Sequence, residues 1–448
     1  MIKYYPNHKN ILNKYNSICG HQTGIMDSLI IMQANSVIAE NINTCTAMLP
    51  DYHKILLGDN AEVNYHLSGY GIYRDEAVIR LLGEGIERYA LFTSNLYFEE
   101  KLKYASYNQL KEKYPDNMIP FEYVKIYSDE ECSKLNSIGI LENINEDDVL
   151  SWVLLPSLFD KEKEYYVPAQ NFFLSHIIRR DKKEKIFISG FSKGSASHKS
   201  IPLALKSAVT EIIECDACMI KWYTDSKVKE VIIDDDILNE TMNLILKDID
   251  YDVRVFDYTV NKKLGYVFAV MLVNKKEKSP YIVVGASSGL NPRKAIYRAF
   301  MEALAILTLN INGPLSMPED YLETVSEKNY LNLDSNVNYW ANADNKDKNL
   351  KFINSKVQEK IELKKYKNLE TNTESDLEYL FKGLYNVSKY AVYLYITPIE
   401  ISDKDLHVMR VYIPELVQMS MPAFPYSKHP RIIENGGISN SEFPHPLP

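Results

Sequence analysis

Two short stretches carry carboxylates at a spacing that could do chemistry: Glu84-Gly85-Ile86-Glu87-Arg88 and Glu211-Ile212-Ile213-Glu214. Residues three apart share a face on a helix. Glu84 and Glu87 fall opposite a Val78/Leu82/Tyr89 stripe. Glu211 and Glu214 fall opposite Val209/Ile213/Ile220, beside Ser207 and Cys218. Two such faces converging on a cleft would offer hard oxygen donors to Mg2+, which proteins often share between a few carboxylates and nucleotide phosphates. Arg88 adds a group that contacts phosphate or steadies a carboxylate. The same pattern also describes the solvated face of an ordinary amphipathic helix. No Gly-x-x-x-x-Gly-Lys-Ser/Thr loop and no kinase motif set occurs, so any ATP site is of another type.

Other reactive side chains read as structural. Cys215-Asp216-Ala217-Cys218 is a Cys-x-x-Cys, but it lies inside a predicted helix rather than at the N-terminal end, where a thiolate is stabilised. No second pair completes a zinc site. Asp216 falls on its helix's apolar face, either hydrogen-bonded in the core or near the cleft. Of nine histidines, His198 sits in a small-residue loop, and His429 and His445 lie in a Pro-rich tail that would bring them to a site if it inserts.

Three helices must position these groups. Apolar periodicity predicts one over 75–95 with Asp75 as its N-cap, one over Pro202–Thr224 with Pro202 in its first turn, and one over Pro292–Leu309. A small-residue segment precedes each: Ser68–Gly71, Gly190–His198 and Gly285–Gly289, the last read as a turn. Ile186–Gly194 reads as a strand entering the second loop. Strands are also expected at Phe121–Tyr127, within Val149–Val167, and at Val231–Asp234, Val253–Tyr258, Val267–Val273, Tyr281–Ala286, Tyr390–Thr397 and Val408–Ile413. Ile25–Ile42 could be helix or strand. The echo of strand, loop and helix implies an α+β fold, mixed β-sheets packed with helices in related units. The organisation expected is an N-terminal segment over 1–60 and one domain over 61–448. That domain has polar insertions near 100–150 and 315–380, the latter read as loops and surface helix, and an irregular Pro-rich tail over 422–448.

Bulk properties narrow the function class. The net charge is −9, with no basic stripe to grip nucleic acid. Five cysteines are too few and too scattered for a disulfide framework, which fits a reducing, cytoplasmic setting. No signal peptide or membrane span is visible.

Taken in order, Ser68-Gly69-Tyr70-Gly71 with Glu84-x-x-Glu87-Arg88-Tyr89, Ser192–His198 with Glu211-x-x-Glu214-Cys215-Asp216-Ala217, and Gly285–Gly289 with Pro292–Leu304 and its Glu302 resemble the three motif segments of the YcaO family. The Gln22-Thr23-Gly24-Ile25 start and the Pro444-His445-Pro446-Leu447-Pro448 ending look like its azoline-forming D subunits of the streptolysin-S-like type. The resemblance makes 61–448 an ATP-binding catalytic domain. It implies ATP-dependent cyclodehydration of Cys, Ser or Thr in a ribosomally made precursor peptide, giving thiazoline or (methyl)oxazoline through phosphorylation of the backbone amide oxygen, in bacteriocin- or cytolysin-like biosynthesis. It assigns Glu84, Glu87, Glu211 and Glu214 to Mg2+, and Arg88, Ser192 and Ser207 with those carboxylates to ATP. Pro444, Pro446 and Pro448 become the catalytic tail. The partners it implies are the precursor, a separate C-type leader-binding protein and a flavin-dependent azoline dehydrogenase. The sequence departs from the family pattern at Tyr70, Arg80, Cys215, Ala305 and Leu309, where many members carry Lys, Ser, Arg, Gln and Arg. Two alternatives stay open: another backbone chemistry such as thioamidation, and a non-catalytic scaffold that binds peptide or nucleotide.

Overall fold

The computed structural model describes residues 13–447 apart from 15, 21–23, 27, 34–41, 58–65, 175, 317–330 and 332. Gln22, Thr23 and Pro448 therefore lie outside the described residues, as does most of the stretch between Gln33 and Ile42.

Long helices seat on four sheets. The first sheet is antiparallel: β1 (Ser28–Gln33), β2 (Asn43–Met48) and β3 (His66–Gly71). Ile25–Ile42 thus holds a strand, paired from Ser28↔Met48 to Gln33↔Asn43. A second sheet joins β4 (Lys103–Ser106), β5 (Val149–Pro156) and β6 (Glu164–Pro168); a third has the order β13 (Val392–Tyr395), β14 (His407–Tyr412), β7 (Ser195–His198). The five-stranded sheet runs β11 (Ile282–Gly289), β10 (Tyr266–Asn274), β9 (Tyr251–Asp257), β8 (Val228–Ile232), β12 (Val357–Glu362). Its β8–β12 pair is parallel. The mixed α+β architecture expected from the sequence is the one observed.

The three expected helices are present, α1 (Arg74–Phe98) and α3 (Pro292–Ser316) longer than expected and α2 (Ile201–Tyr223) shifted by one residue. Each follows a strand that it packs on, β3, β7 and β11. The N-cap of α1 is Tyr73, and Asp75 lies in the first turn, where its charge faces the positive end of the helix dipole.

Several local expectations are corrected. Phe121–Tyr127 is no strand; Pro120 opens a 3-10 turn over Phe121–Tyr123, since proline brings no N–H to a ladder. Ile186–Gly194 is no strand either. Its backbone is claimed by side chains: the Ile186 N–H donates to Glu142 Oε2 at 2.9 Å and the Phe187 N–H to Gln170 Oε1 at 3.2 Å. The strand begins later, at Ser195. Gly285–Gly289 is not a turn but the end of β11, paired to β10 as far as Tyr266↔Gly289. Its small residues answer to α3: a Cβ built on Gly285 would sit 2.3 Å from the Ala299 carbonyl oxygen.

The described part of 315–380 is more than loop and surface helix, although the helix Lys346–Lys356 buries only Asn349, Ile353 and Lys356. Helix α4 (Leu333–Ala341) buries Asn336 and Trp340, β12 closes the large sheet, and the helix Thr373–Leu384 buries Leu380 and Leu384 in the core. The tail is irregular but packed, with Tyr426, His429, Ile432 and His445 buried. Among the described residues no helix is long and apolar enough to cross a membrane.

Candidate functional site

One hydrogen-bond pattern recurs in all three strand–helix units. The Ser68 N–H of β3 donates to Glu84 Oε2 of α1 at 2.8 Å, the Gly194 N–H before β7 to Glu211 Oε2 of α2 at 2.8 Å, and the Ala286 N–H of β11 to Glu302 Oε2 of α3 at 3.0 Å. The sequence separations are 16, 17 and 16 residues. A fourth bond crosses units, from the Ser288 N–H to Glu214 Oε2 at 3.0 Å. Each carboxylate is fixed through one oxygen, leaving acceptor capacity for a ligand.

The groups fall into two nests joined by Glu211. In the first, Arg88 reaches Glu84 at 3.4 Å and Glu87 at 3.3 Å, and the Ser195 hydroxyl donates to Glu87 Oε1 at 2.5 Å. Burial, with repulsion from Glu211 and Glu84, pushes the Glu87 carboxyl up to about 7 against the pull of Arg88. In the second, Lys193 lies 3.6 Å from Glu211. Burial disfavours its charge, but Glu211, Glu214 and Glu302 outweigh this and hold the ammonium firmly protonated. Burial also raises Glu214 and Glu302, each of which feels Glu211 as well. Glu211 thus borders both nests, and five carboxyl groups share two cationic side chains, more acid than those cations keep ionised.

That excess is what a hard divalent cation neutralises. Among the described residues no three His, Cys, Asp or Glu side chains converge into a protein cage. Mg2+ in nucleotide sites keeps several waters and binds through one or two carboxylates together with the phosphates. Glu84, Glu87, Glu211 and Glu214 lie in one region, with Arg88 bridging the first two and Glu211 acting electrostatically on Glu87 and Glu214. Ser207 precedes Glu211 by one turn on α2. Ser192 enters the network through its carbonyl, which lies 2.7 Å from the Ser195 hydroxyl oxygen and accepts from Arg410 at 2.8 Å.

Glu302 and Lys193 stood inside motifs quoted from the sequence yet went unassigned. The repeated separation of 16 or 17 residues between the backbone donor and its carboxylate, which sits about three turns into each helix, is the signal that singles out Glu302. Arg410 had no signal. Buried on β14, it donates to the carbonyls of Phe172, Phe191, Ser192 and Lys193 at 2.7–3.1 Å. It braces the loop that carries Lys193, and burial pulls its guanidinium down to about 10.

Tyr70, Ala305 and Leu309 line one cavity of about 10 Å3 with Cys45, Thr46 and Thr308, room for a water. Arg80 pairs with Glu76 at 2.7 Å and lies 5.1 Å over the Tyr70 ring. Cys215 and Cys218 are buried thiols raised by desolvation, inert rather than redox-active. His198 is the last residue of β7, paired with His407, and its Nδ1 accepts the Lys199 N–H at 2.9 Å. Pro444–Leu447 are buried beside α2, and Lys193 acts electrostatically on His445. Neither tail histidine is free as a base: His429 Nε2 lies 3.0 Å from the Pro414 carbonyl and His445 Nε2 3.1 Å from that of Ser420.

Comparison with known proteins bears on this geometry. A heterocyclase solved in complex with substrate and cofactor superposes with a TM-score of 0.72 at 17% identity, over 98% of this chain and 56% of that one. The heterocyclase TruD gives 0.62 at 18%, over 100% and 55%. This chain therefore spans a little over half the length of those two. YcaO from Methanopyrus kandleri, bound with AMPPCP and Mg2+, gives 0.61 at 12% identity over 98% and 96%. The E. coli microcin synthetase McbBCD complex gives 0.62 at 14% over 100% of both chains. At these identities the likeness is one of fold. No curated protein sequence matches the chain. The family model for YcaO cyclodehydratase, ATP- and Mg2+-binding, matches residues 68–417, which takes in all three strand–helix units and their carboxylates, and the chain belongs to that family.

Proposed function

We propose that this chain carries out ATP-dependent cyclodehydration of Cys, Ser or Thr in a ribosomally made precursor peptide. The observation that carries the reading is the set of five glutamates on three helices, each of four tied by one oxygen to a strand N–H, with Lys193 and Arg88 among them. In the reaction the side-chain nucleophile adds to the preceding backbone carbonyl. The resulting oxyanion accepts the terminal phosphoryl group of ATP, and loss of phosphate leaves an azoline in place of the amide. Oxide is a poor leaving group and phosphate a good one, so the protein's share is positioning and charge neutralisation.

Glu84, Glu87, Glu211 and Glu214 would hold Mg2+, which supplies charge neutralisation at the phosphates, and Glu302 belongs with them. Lys193 and Arg88 would face phosphate oxygens. Ser192 and Ser207 would line the nucleotide's path. The segment Pro444, Pro446, Pro448 would approach the reacting amide, stiffened by its prolines. A C-type partner that captures the leader peptide and a flavin-dependent dehydrogenase acting on the rings are proposed with it, supported by the likeness in fold to a chain of the microcin synthetase McbBCD complex.

The test is calorimetric binding of Mg2+-ATP to the chain and to Glu211→Gln and Glu302→Gln variants. Affinity is expected to fall by on the order of 10- to 100-fold or more in each. Unchanged binding in both would return these carboxylates to a structural role. Loss of one water per ring from a reconstituted precursor, without added sulfide, separates cyclodehydration from thioamidation.

A further inference from the structure

Proline has no N–H, so a Pro-x-Pro-x-Pro segment can be held mainly through its carbonyls. Here side-chain donors from two helices take them in succession. Trp222 Nε1 of α2 donates to the Phe443 carbonyl at 2.9 Å and Trp340 Nε1 of α4 to that of Pro444 at 2.8 Å. Asn336 Nδ2, one turn before Trp340, donates to the His445 carbonyl and to the Leu447 carbonyl at 2.9 Å. It also lies 3.3 Å from His445 Nδ1. That ring's Nε2 faces the Ser420 carbonyl at 3.1 Å, so Nε2 carries the proton and Nδ1 accepts. Three acceptors around one amide nitrogen fix which way the Asn336 side chain points. Asn336 is fully buried and its Oδ1 accepts no hydrogen bond among the described residues. A buried, unsatisfied amide oxygen costs about 1–3 kcal/mol, so this asparagine is a poor choice for packing alone.

The grip is also within reach of the carboxylates. Trp222 lies eight residues beyond Glu214 on the same helix, a rise of about 12 Å. A Pro-rich segment of five residues spans about 15 Å, so the residues after Phe443 have the reach to come level with the carboxylates.

We infer that Asn336 is a positioning residue: its amide, together with the Trp340 and Trp222 indoles, sets how deeply Pro444–Leu447 is held beside the carboxylate cleft. The inference rests on the proposal that this segment takes part in ring closure.

The three tryptophans of the chain make the test specific. Two grip the tail, while Trp152 donates to the Ala105 carbonyl at 3.0 Å, remote from it. The full chain labelled with 5-fluorotryptophan is compared by 19F NMR with a chain lacking Pro444–Pro448 and with Asn336→Leu. In Asn336→Leu the Trp340 and Trp222 resonances are expected to move to their positions in the truncated chain, with Trp152 and Mg2+-ATP affinity unchanged. Trp340 and Trp222 resonances identical to those of the full chain would overturn the inference. If Asn336→Leu does not fold, as its Trp152 signal would reveal, Asn336→Asp serves instead, near-isosteric but offering an acceptor where a donor is needed. A truncated chain that still removes water from a reconstituted precursor would sink the catalytic reading of the tail, and that result is independent of the spectral one.

Discussion

Single residues in this protein are set by what their neighbours leave them. Glu211 is the clearest case, since it repels Glu87 on one side and Glu214 and Glu302 on the other while pairing with Lys193. Its removal should therefore act on both nests. The tail histidines show the opposite situation, with uncharged rings enclosed by protein. Burial pulls His429 and His445 down to about 4 from the ordinary 6.5. A second proton would have to sit on Nδ1, which faces the Arg431 N–H in one ring and the Asn336 amide in the other. Arg431 and Lys193 add repulsion. Between about pH 6.5 and 4 the unfolded chain binds these protons and the folded chain does not, so their contribution to stability is present above 6.5 and lost as pH falls. The loss is on the order of 3 kcal/mol for each ring. Glu87, Glu214 and Glu302, held above the usual carboxylate range, pull the other way over an overlapping window and favour the fold as pH falls. The measurement is thus a difference: urea midpoints of the chain against a His429→Gln/His445→Gln variant from neutral to acidic pH. The variant should lose less stability on acidification, and equal slopes would mean that the rings already titrate in the fold.

At the scale of elements, glycine sets how closely a strand can approach its helix. A Cβ on Gly69 of β3 would lie 2.0 Å from the Ala77 carbonyl oxygen and 2.6 Å from Leu81 N; on Gly285 of β11 it would lie 2.3 Å from the Ala299 oxygen and 2.5 Å from Ala303 N. Both contacts are helix backbone, which cannot step aside as a side-chain tip can. Gly69→Ala and Gly285→Ala should each cost about 1–3 kcal/mol, whereas Gly289→Ala, whose Cβ would meet only the Ala295 Cβ at 4.0 Å, should be close to neutral. Thermal unfolding of the three variants checks this, and indistinguishable melting for all three would show that the strand–helix contact has slack. The same contact explains what was legible in the sequence. Helices α1, α2 and α3 announced themselves through apolar periodicity, and the carboxylate pairs followed from their spacing. The small-residue segments were visible but misread: Gly285–Gly289 looks like a turn because small residues mark turns, when here they keep a strand thin under a helix. Ile186–Gly194 looks like a strand because its residues are apolar, while the acceptors that divert its backbone, Glu142 and Gln170, lie far off in sequence.

Over the whole molecule, the least legible features are contacts between distant parts of the chain. Asp216 is an acid on the apolar face of α2, and the sequence alone left open whether it belonged to the core or to the cleft. It belongs to the core. Its carboxylate accepts from Arg431 Nε at 2.6 Å, from Arg431 Nη2 at 2.8 Å and from the Val417 N–H at 2.9 Å. The partner is 215 residues away, on the short helix Pro430–Glu434, beyond the reach of any local pattern. The fork–fork pair ties the helix that carries Glu211 and Glu214 to the segment that leads into the tail. A buried pair of this kind is worth little against an apolar replacement of both partners but much against removal of one, because the survivor keeps its charge without compensation. Asp216→Asn should therefore destabilise the chain by about 3–5 kcal/mol, while Asp216→Leu combined with Arg431→Met should cost far less. Urea denaturation of Asp216→Leu, Arg431→Met and the double variant forms the cycle. If the double variant's loss equals the sum of the singles, the two side chains are not coupled, and the tail is held by its carbonyl contacts to Trp222, Trp340 and Asn336 alone. A coupling of several kcal/mol would instead make this ion pair the joint through which the tail and the carboxylate helix keep register.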